Sequence, residues 1–288
     1  MIPSLPVRTP ASMATSTLRN IETDEHLVNL WLSGRPPTTK RVYLAEATSF
    51  LDFLPNGLRA ATMADVLLYA EGIRGAAATR ARRISTLKSL LAFALKVGFT
   101  STNLGSVLRV PRVTGKLHER LLDEVEVAEM IKEAASGRDR ILLRLLYLSG
   151  LRISEALGIR WIDLGPAGIS VVGKGSRART VAVPKELLIE LRGLREGGEP
   201  ETARVFKVAK GKPLSVRQAR RIVSTAALEG IGRPASPHWL RHAHASVALE
   251  RGCPLHVLRD SLGHASISTT SKYLGVRPGT GSGMYLVG

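Results

Sequence analysis

A histidine and an arginine three positions apart, His238 and Arg241, follow Ser236-Pro237 in the stretch SPHWLR. If Pro237 opens a helix, positions 238 and 241 project from neighbouring places on one face. An imidazole and a guanidinium fork that reach one point suit a phosphate. Arginine donates to two oxygens at once, and histidine can hydrogen-bond or move a proton near neutral pH. The same two residues at this spacing also describe an ordinary solvated helix face. His238 and His242 are four apart and His244 follows, which raises a metal site. The general-base glutamate of HExxH is missing and no carboxylate or cysteine nearby completes a ligand set, so no metal is expected.

Three further places carry chemistry-bearing residues. In SGLRISE, Gly150 breaks an apolar helix so that Arg152 emerges at the turn into the next one, and Glu155 three positions on can hold it or a neighbouring side chain. A plain surface ion pair reads the same way. In VGKGSR, glycines on both sides of Lys174 let backbone approach a ligand while a long cationic arm extends, although turn lysines are commonly just solvated. Nine residues after His264 of LGH stands Tyr273. Its phenol, with an ordinary pKa of about 10, needs neighbouring cations to act as a nucleophile. A packed ring with a wet hydroxyl is the structural alternative.

The elements that must position these residues are mostly helical. Apolar spacing predicts helices over 23–32, 38–54, 63–72 and 78–97. In the second, Val42, Ala45, Phe50, Phe53 and Leu54 approximate one face; in the fourth, Ile84, Leu87, Leu91 and Ala94 do so between Arg80, Arg82, Arg83 and Lys88. Residues 107–119 lack periodicity and read as a linker. Helices follow over 123–135, 138–148, 153–158, 185–194, 216–229, 239–251, 255–262 and 268–274. The one β signal is a hairpin over 168–184 with a Gly/Lys/Ser/Arg tip. The organisation expected is a tail (1–20), a basic helical bundle (21–106), the linker (107–119) and a second domain (120–288). The fold class is mainly α with a small antiparallel β-sheet.

Charge narrows the partner. Lys and Arg number 41 against 24 Asp and Glu, a formal net charge of +17 spread along all 288 residues. A polyanion is the expected partner, with Arg80, Arg83, Arg177 and Arg179 as candidate contacts to a phosphate backbone. A single cysteine, Cys253, allows no internal disulfide and fits a reducing cytoplasm. The first twenty residues lack the apolar stretch of a signal peptide, and no apolar window of bilayer length occurs, so no membrane partner is expected.

Taken together, the segments LLYLSGLRISEALGIRWIDL, VVGKGSRARTVAVP, SPHWLRHAHASVALERG and VLRDSLGHASISTTSKYL resemble the four signature segments of the tyrosine recombinases, or phage integrases, and most of all bacterial Xer recombinases and the integrases of phages or mobile elements. The likeness runs from about residue 120 to 276, and the upstream helices are similar, less specifically, to that family's SAM-like core-binding domain. The family has Asn-Pro where this chain has Asn103-Leu104, and the Gly-rich end after Tyr273 differs from the C-terminal helix that relatives dock into a neighbouring subunit.

The resemblance implies an enzyme that cleaves and rejoins DNA through a 3′-phosphotyrosyl bond to Tyr273. Arg152 and Arg241 would clamp the phosphate, and His238 and His264 would donate to it or take the phenol proton. Lys174 would protonate the leaving 5′-oxygen, and Glu155 would orient the clamp. It implies no cofactor. It further implies double-stranded DNA with paired inverted repeats, a dimer per site and a tetramer at synapsis or pairing with a related recombinase, an accessory protein in some systems, and a place with the nucleoid in the cytoplasm. A type IB topoisomerase-like enzyme shares much of this chemistry, and a catalytically silent DNA-binding regulator could share the fold.

Overall fold

The computed structural model describes residues 21–112, 121–173 and 178–263. They form two compact units, divided between Gly115 and Lys116.

The first unit is a helical bundle: α1 (Asp24–Leu32), α2 (Pro37–Leu51), α3 (Met63–Gly72) and α4 (Ala77–Lys96), closed by a short 3₁₀ turn over Leu104–Val107. Local chemistry sets the starts. The Thr23 hydroxyl accepts the His26 N–H at 3.1 Å ahead of α1. Pro37 opens α2, and Thr62 and Asp65 form a capping box at α3. The predicted stripe Ile84, Leu87, Leu91 and Ala94 on α4 is buried against Leu27, Trp31, Phe50 and Leu58.

On α2 the buried face overlaps the one that apolar spacing suggests only at Phe50, with Leu54 buried just beyond the helix. Val42, Ala45 and Phe53 are exposed, while Glu46, Ala47 and Phe50 are buried. The reason is a charge pair between helices: Arg83 of α4 donates its Nε to Glu46 at 2.5 Å, and Tyr43 stacks on Trp31 with ring centroids 5.1 Å apart. A buried carboxylate is tolerated only with such a partner. Arg83, expected on the phosphate backbone, is therefore engaged within the bundle. Arg80 is exposed. Leu104 and Leu108 are buried in the same core, so packing holds the chain to this unit through the first two residues of the stretch expected to be a linker.

The second unit runs α5 (Glu124–Lys132), α6 (Gly137–Ser149), α7 (Ile153–Ala156), β1 (Ile169–Val172), β2 (Ala178–Val181), α8 (Lys185–Arg192), α9 (Val216–Ile231), α10 (Pro237–Glu250) and α11 (Leu255–Leu262). The strands pair antiparallel, Ile169 with Val181 and Val172 with Ala178, and form a two-stranded sheet. Ile169, Val171 and Val181 turn into a core built on Leu142, Leu143, Leu145 and Leu146 of α6, which α10 packs along. The architecture is mainly α with a small antiparallel sheet. The hairpin tip, with Lys174 and Arg177, lies outside the described residues, as do His264, Tyr273 and the helix expected over 268–274. Among the described residues no helix is long and apolar enough to cross a membrane.

Candidate active site

The apolar helix α6 ends because Ser149 and Gly150 make it end. The Ser149 hydroxyl donates to the Leu145 carbonyl at 2.5 Å and accepts the Leu151 N–H at 3.2 Å. Gly150 then takes φ +60°, a conformation that disfavours any residue with a Cβ. Space demands glycine as well: a Cβ there would lie 2.6 Å from Cδ2 of His244 and 2.8 Å from Cδ2 of Leu262. Two residues on, Arg152 becomes the N-cap of α7.

Glu155 ties Arg152 down at both ends. Its Oε2 accepts the Arg152 backbone N–H at 2.9 Å and its Oε1 accepts Nη1 of the guanidinium at 3.1 Å. The Glu155 side chain is only 7% exposed, whereas that of Arg152 is 40% exposed. A second guanidinium, from Arg179 on β2, meets the same carboxylate, Nη1 to Oε1 at 3.2 Å and Nη2 to Oε2 at 3.1 Å. Burial alone would raise the Glu155 carboxyl pKa. The Arg179 hydrogen bonds, the Arg152 backbone N–H and both guanidinium charges outweigh it and hold the carboxyl below its ordinary value. The carboxylate stays ionised and fixed.

Arg152 faces a cleft whose other walls are Ile153, Arg220, Ser236, Pro237 and His238. His238 is exposed in the first turn of α10 and sits edge-on to His242, ring centroids 4.2 Å apart. The first turn of a helix carries the positive end of its dipole, so this cleft combines two arginines, an imidazole and a helix N-terminus. It is a place for an anion. Arg220, on the basic face of α9, was legible in the sequence only as one charge among many.

Arg241 shares the face of α10 with His238 but is turned inward, 2% exposed. Its Nη1 donates to the Gly150 carbonyl and its Nη2 to the Leu262 carbonyl at 2.7 Å. The spacing expectation thus holds for position and not for exposure. The guanidinium stands at the junction of two segments, the one that continues to Arg152 and the one that continues to His264. Arg152 and His238 line one cleft with Glu155 behind Arg152, and Arg241 is hydrogen-bonded to Gly150, two residues before Arg152. Lys174, His264 and Tyr273 lie outside the described residues.

His244 lies one turn behind, on the same helix. Its Nδ1 donates to the Tyr147 carbonyl at 2.8 Å, which leaves Nε2 as the unprotonated nitrogen of the neutral ring. Burial lowers its pKa, with the Arg241 charge adding to the effect and the Tyr147 bond opposing it. The unfolded chain therefore takes up a proton at His244 as pH falls below about 6.5, while the folded chain resists until lower pH. Stability contributed by the neutral ring is full above that value and declines below it. Thermal melts from pH 7.5 to 5.5 should show this decline, and His244→Phe should flatten it while costing about 1–3 kcal/mol at neutral pH through the orphaned carbonyl. Equal pH slopes for the two proteins would remove His244 as the cause.

Comparison with known proteins identifies relatives over most of the chain. The sequence profile of the phage integrase family matches residues 112–279. The tyrosine recombinase XerC of Mycobacterium leprae (strain TN) is 33% identical over 276 residues, covering 88% of this chain and 92% of that protein. XerC of Xylella fastidiosa (strain 9a5c) is 39% identical over 201 residues, covering 67% of this chain and 68% of that one. Among solved structures, a lambda integrase dimer bound to a COC′ core site superposes with a TM-score of 0.71 at 21% identity, over 90% of this chain and 95% of that one. A lambda integrase tetramer bound to a Holliday junction gives 0.70 at 19% identity, over 92% and 84%.

Proposed function

This chain belongs to the phage integrase family and is a tyrosine recombinase, a site-specific enzyme that cleaves and rejoins DNA; from that premise we propose that Tyr273 is its nucleophile and that the cleft between Arg152 and His238 receives the scissile phosphate. The observation that supports the placement most is the convergence of Arg152, His238 and the first turn of α10 on one cleft, with Glu155 bracing Arg152 from behind.

The chemistry follows from charge. The Tyr273 phenol oxygen bonds to phosphorus as the bond to the 5′-oxygen breaks, and the non-bridging oxygens gather negative charge in a five-coordinate transition state. Arg152 and Arg241 stabilise that charge, aided by a hydrogen bond from His264. His238 takes the phenol proton or donates to the same phosphate, and Lys174 protonates the departing 5′-oxygen. The 3′-phosphotyrosyl ester keeps the phosphoester bond energy, so the 5′-hydroxyl of another strand reverses the step without any cofactor. The basic bundle over 21–106 holds the duplex as a core-binding domain, with Arg80 an exposed candidate for phosphate contact.

The substrate is double-stranded DNA with paired inverted repeats, bound by a dimer per site and joined in a tetramer, or in a mixed assembly with a related recombinase, in the cytoplasm with the nucleoid. The lambda integrase dimer and tetramer on DNA support that stoichiometry.

The test is to incubate the protein with sheared genomic DNA, denature in detergent, recover protein-linked fragments, sequence their ends and map the linked peptide. Fragments that end at one inverted-repeat site, joined to the peptide holding Tyr273, are expected. Scattered ends point instead to a topoisomerase-like activity, and no adduct at any protein concentration to a silent DNA binder.

A further inference from the structure

The sequence places Arg179 among candidate contacts to the DNA backbone, but its side chain points the other way. Its side chain is 16% exposed, and every described hydrogen bond from its guanidinium goes inward. Nη1 and Nη2 form a fork on Glu155, and Nε donates to the Ser261 carbonyl at 3.1 Å, in the last turn of α11. Gly263, at φ +63°, lies directly on this group: a Cβ there would come within 2.9 Å of the Arg179 Cζ. The next carbonyl along, that of Leu262, is taken by Arg241. Two arginines from separate elements thus hold consecutive carbonyls at the end of α11.

Resting on the reading of the site above, we infer that Arg179 is a positioning residue of the strand-exchange site, fixing Glu155, and through it Arg152, relative to β2 and the end of α11. Glu155 has two oxygens and four donors, two from Arg152 and two from Arg179. Without Arg179 the carboxylate keeps, among the described residues, only the donors of the residue it must orient, so no described group outside the Arg152 turn sets its direction. A lysine cannot substitute, because one ammonium cannot reach both carboxylate oxygens in a fork and the Ser261 carbonyl in the plane of that fork. A backbone-phosphate contact and a positioning residue therefore predict opposite results.

The experiment uses the full chain on the DNA site mapped by its own protein-linked fragments. Adduct formation is followed in single turnover at saturating DNA, alongside DNA affinity across salt concentrations and the melting temperature. Arg179→Lys should slow adduct formation by about 10- to 100-fold with DNA affinity within about twofold and an unchanged salt slope. Glu155→Gln should slow it comparably, and the double variant should be no slower than the slower single variant by more than about threefold, as expected for residues acting as one unit. An unchanged adduct rate with weaker binding and a salt slope reduced by about one would make Arg179 a phosphate contact and overturn the inference, and so would multiplying effects in the double variant. If the Arg179 variants melt below the assay temperature, Glu155→Gln decides, since it keeps the side chain's shape and removes the charge on which both guanidinium groups converge: a native adduct rate there overturns the inference. No adduct from the native chain removes the underlying reading and this inference with it; a native adduct that Arg179→Lys leaves untouched removes this inference alone.

Discussion

Tyr273→Phe should bind its DNA site with native affinity and form no covalent adduct, a loss on the order of 10⁵-fold or more in strand cleavage. The substitution removes one oxygen and keeps the ring and the chain's charge, while the atom proposed to bond to phosphorus is gone. Elimination among the chain's five tyrosines supports the choice. Tyr43 is stacked on Trp31 with the Arg35 guanidinium over its ring. Tyr69 is buried and its hydroxyl donates to Ser49 at 3.0 Å. Burial raises the Tyr147 phenol above its ordinary pKa, the wrong direction for a nucleophile. Of Tyr273 and Tyr285, only Tyr273 lies in the segment VLRDSLGHASISTTSKYL that resembles the family's signature, so Tyr285→Phe is the matched control and should cleave like the native chain. Gel mobility of the detergent-denatured complex reads both. An adduct of native yield from Tyr273→Phe would move the nucleophile elsewhere.

What the sequence made legible, and what it did not, divides along one physical line. Features written in local spacing were readable: the apolar stripe of α4, the hairpin flanking Lys174, the Gly150 break that delivers Arg152, and the extent of α10 to within two residues at each end. Features that depend on charges meeting across the fold were not. Glu46 is buried because Arg83, 37 positions away, pairs with it; no periodicity announces that. Arg179 looks like a surface cation until Glu155, 24 positions away, claims its fork. His244 passes for one member of a histidine run until the Tyr147 carbonyl, 97 positions away, takes its N–H. The site shows the same division: His238 and Arg241 were placed on one helix and His238 is exposed there, but the burial of Arg241, set by what packs against α10, was not legible.

Arg241 carries the second large effect, and its two substitutions separate chemistry from packing. Arg241→Ala removes the donor to two buried carbonyls, Gly150 and Leu262, at about 1–3 kcal/mol each, and empties the space a buried guanidinium filled. It should lower the melting temperature of the second unit and abolish cleavage together. Arg241→Lys keeps a positive charge and most of the aliphatic stem, so it should melt closer to the native chain. It should still cleave about 10²- to 10³-fold more slowly, because an ammonium held by either carbonyl cannot also present a planar fork to the transition-state oxygens. The carbonyls orient Arg241 and cancel none of its formal charge, the arrangement required of a group whose task is to meet an anion. Single-turnover cleavage and thermal melts on the same preparations decide it. If the lysine variant cleaves within about tenfold of native while melting lower, Arg241 is a packing residue and the phosphate is held by Arg152 and its neighbours alone.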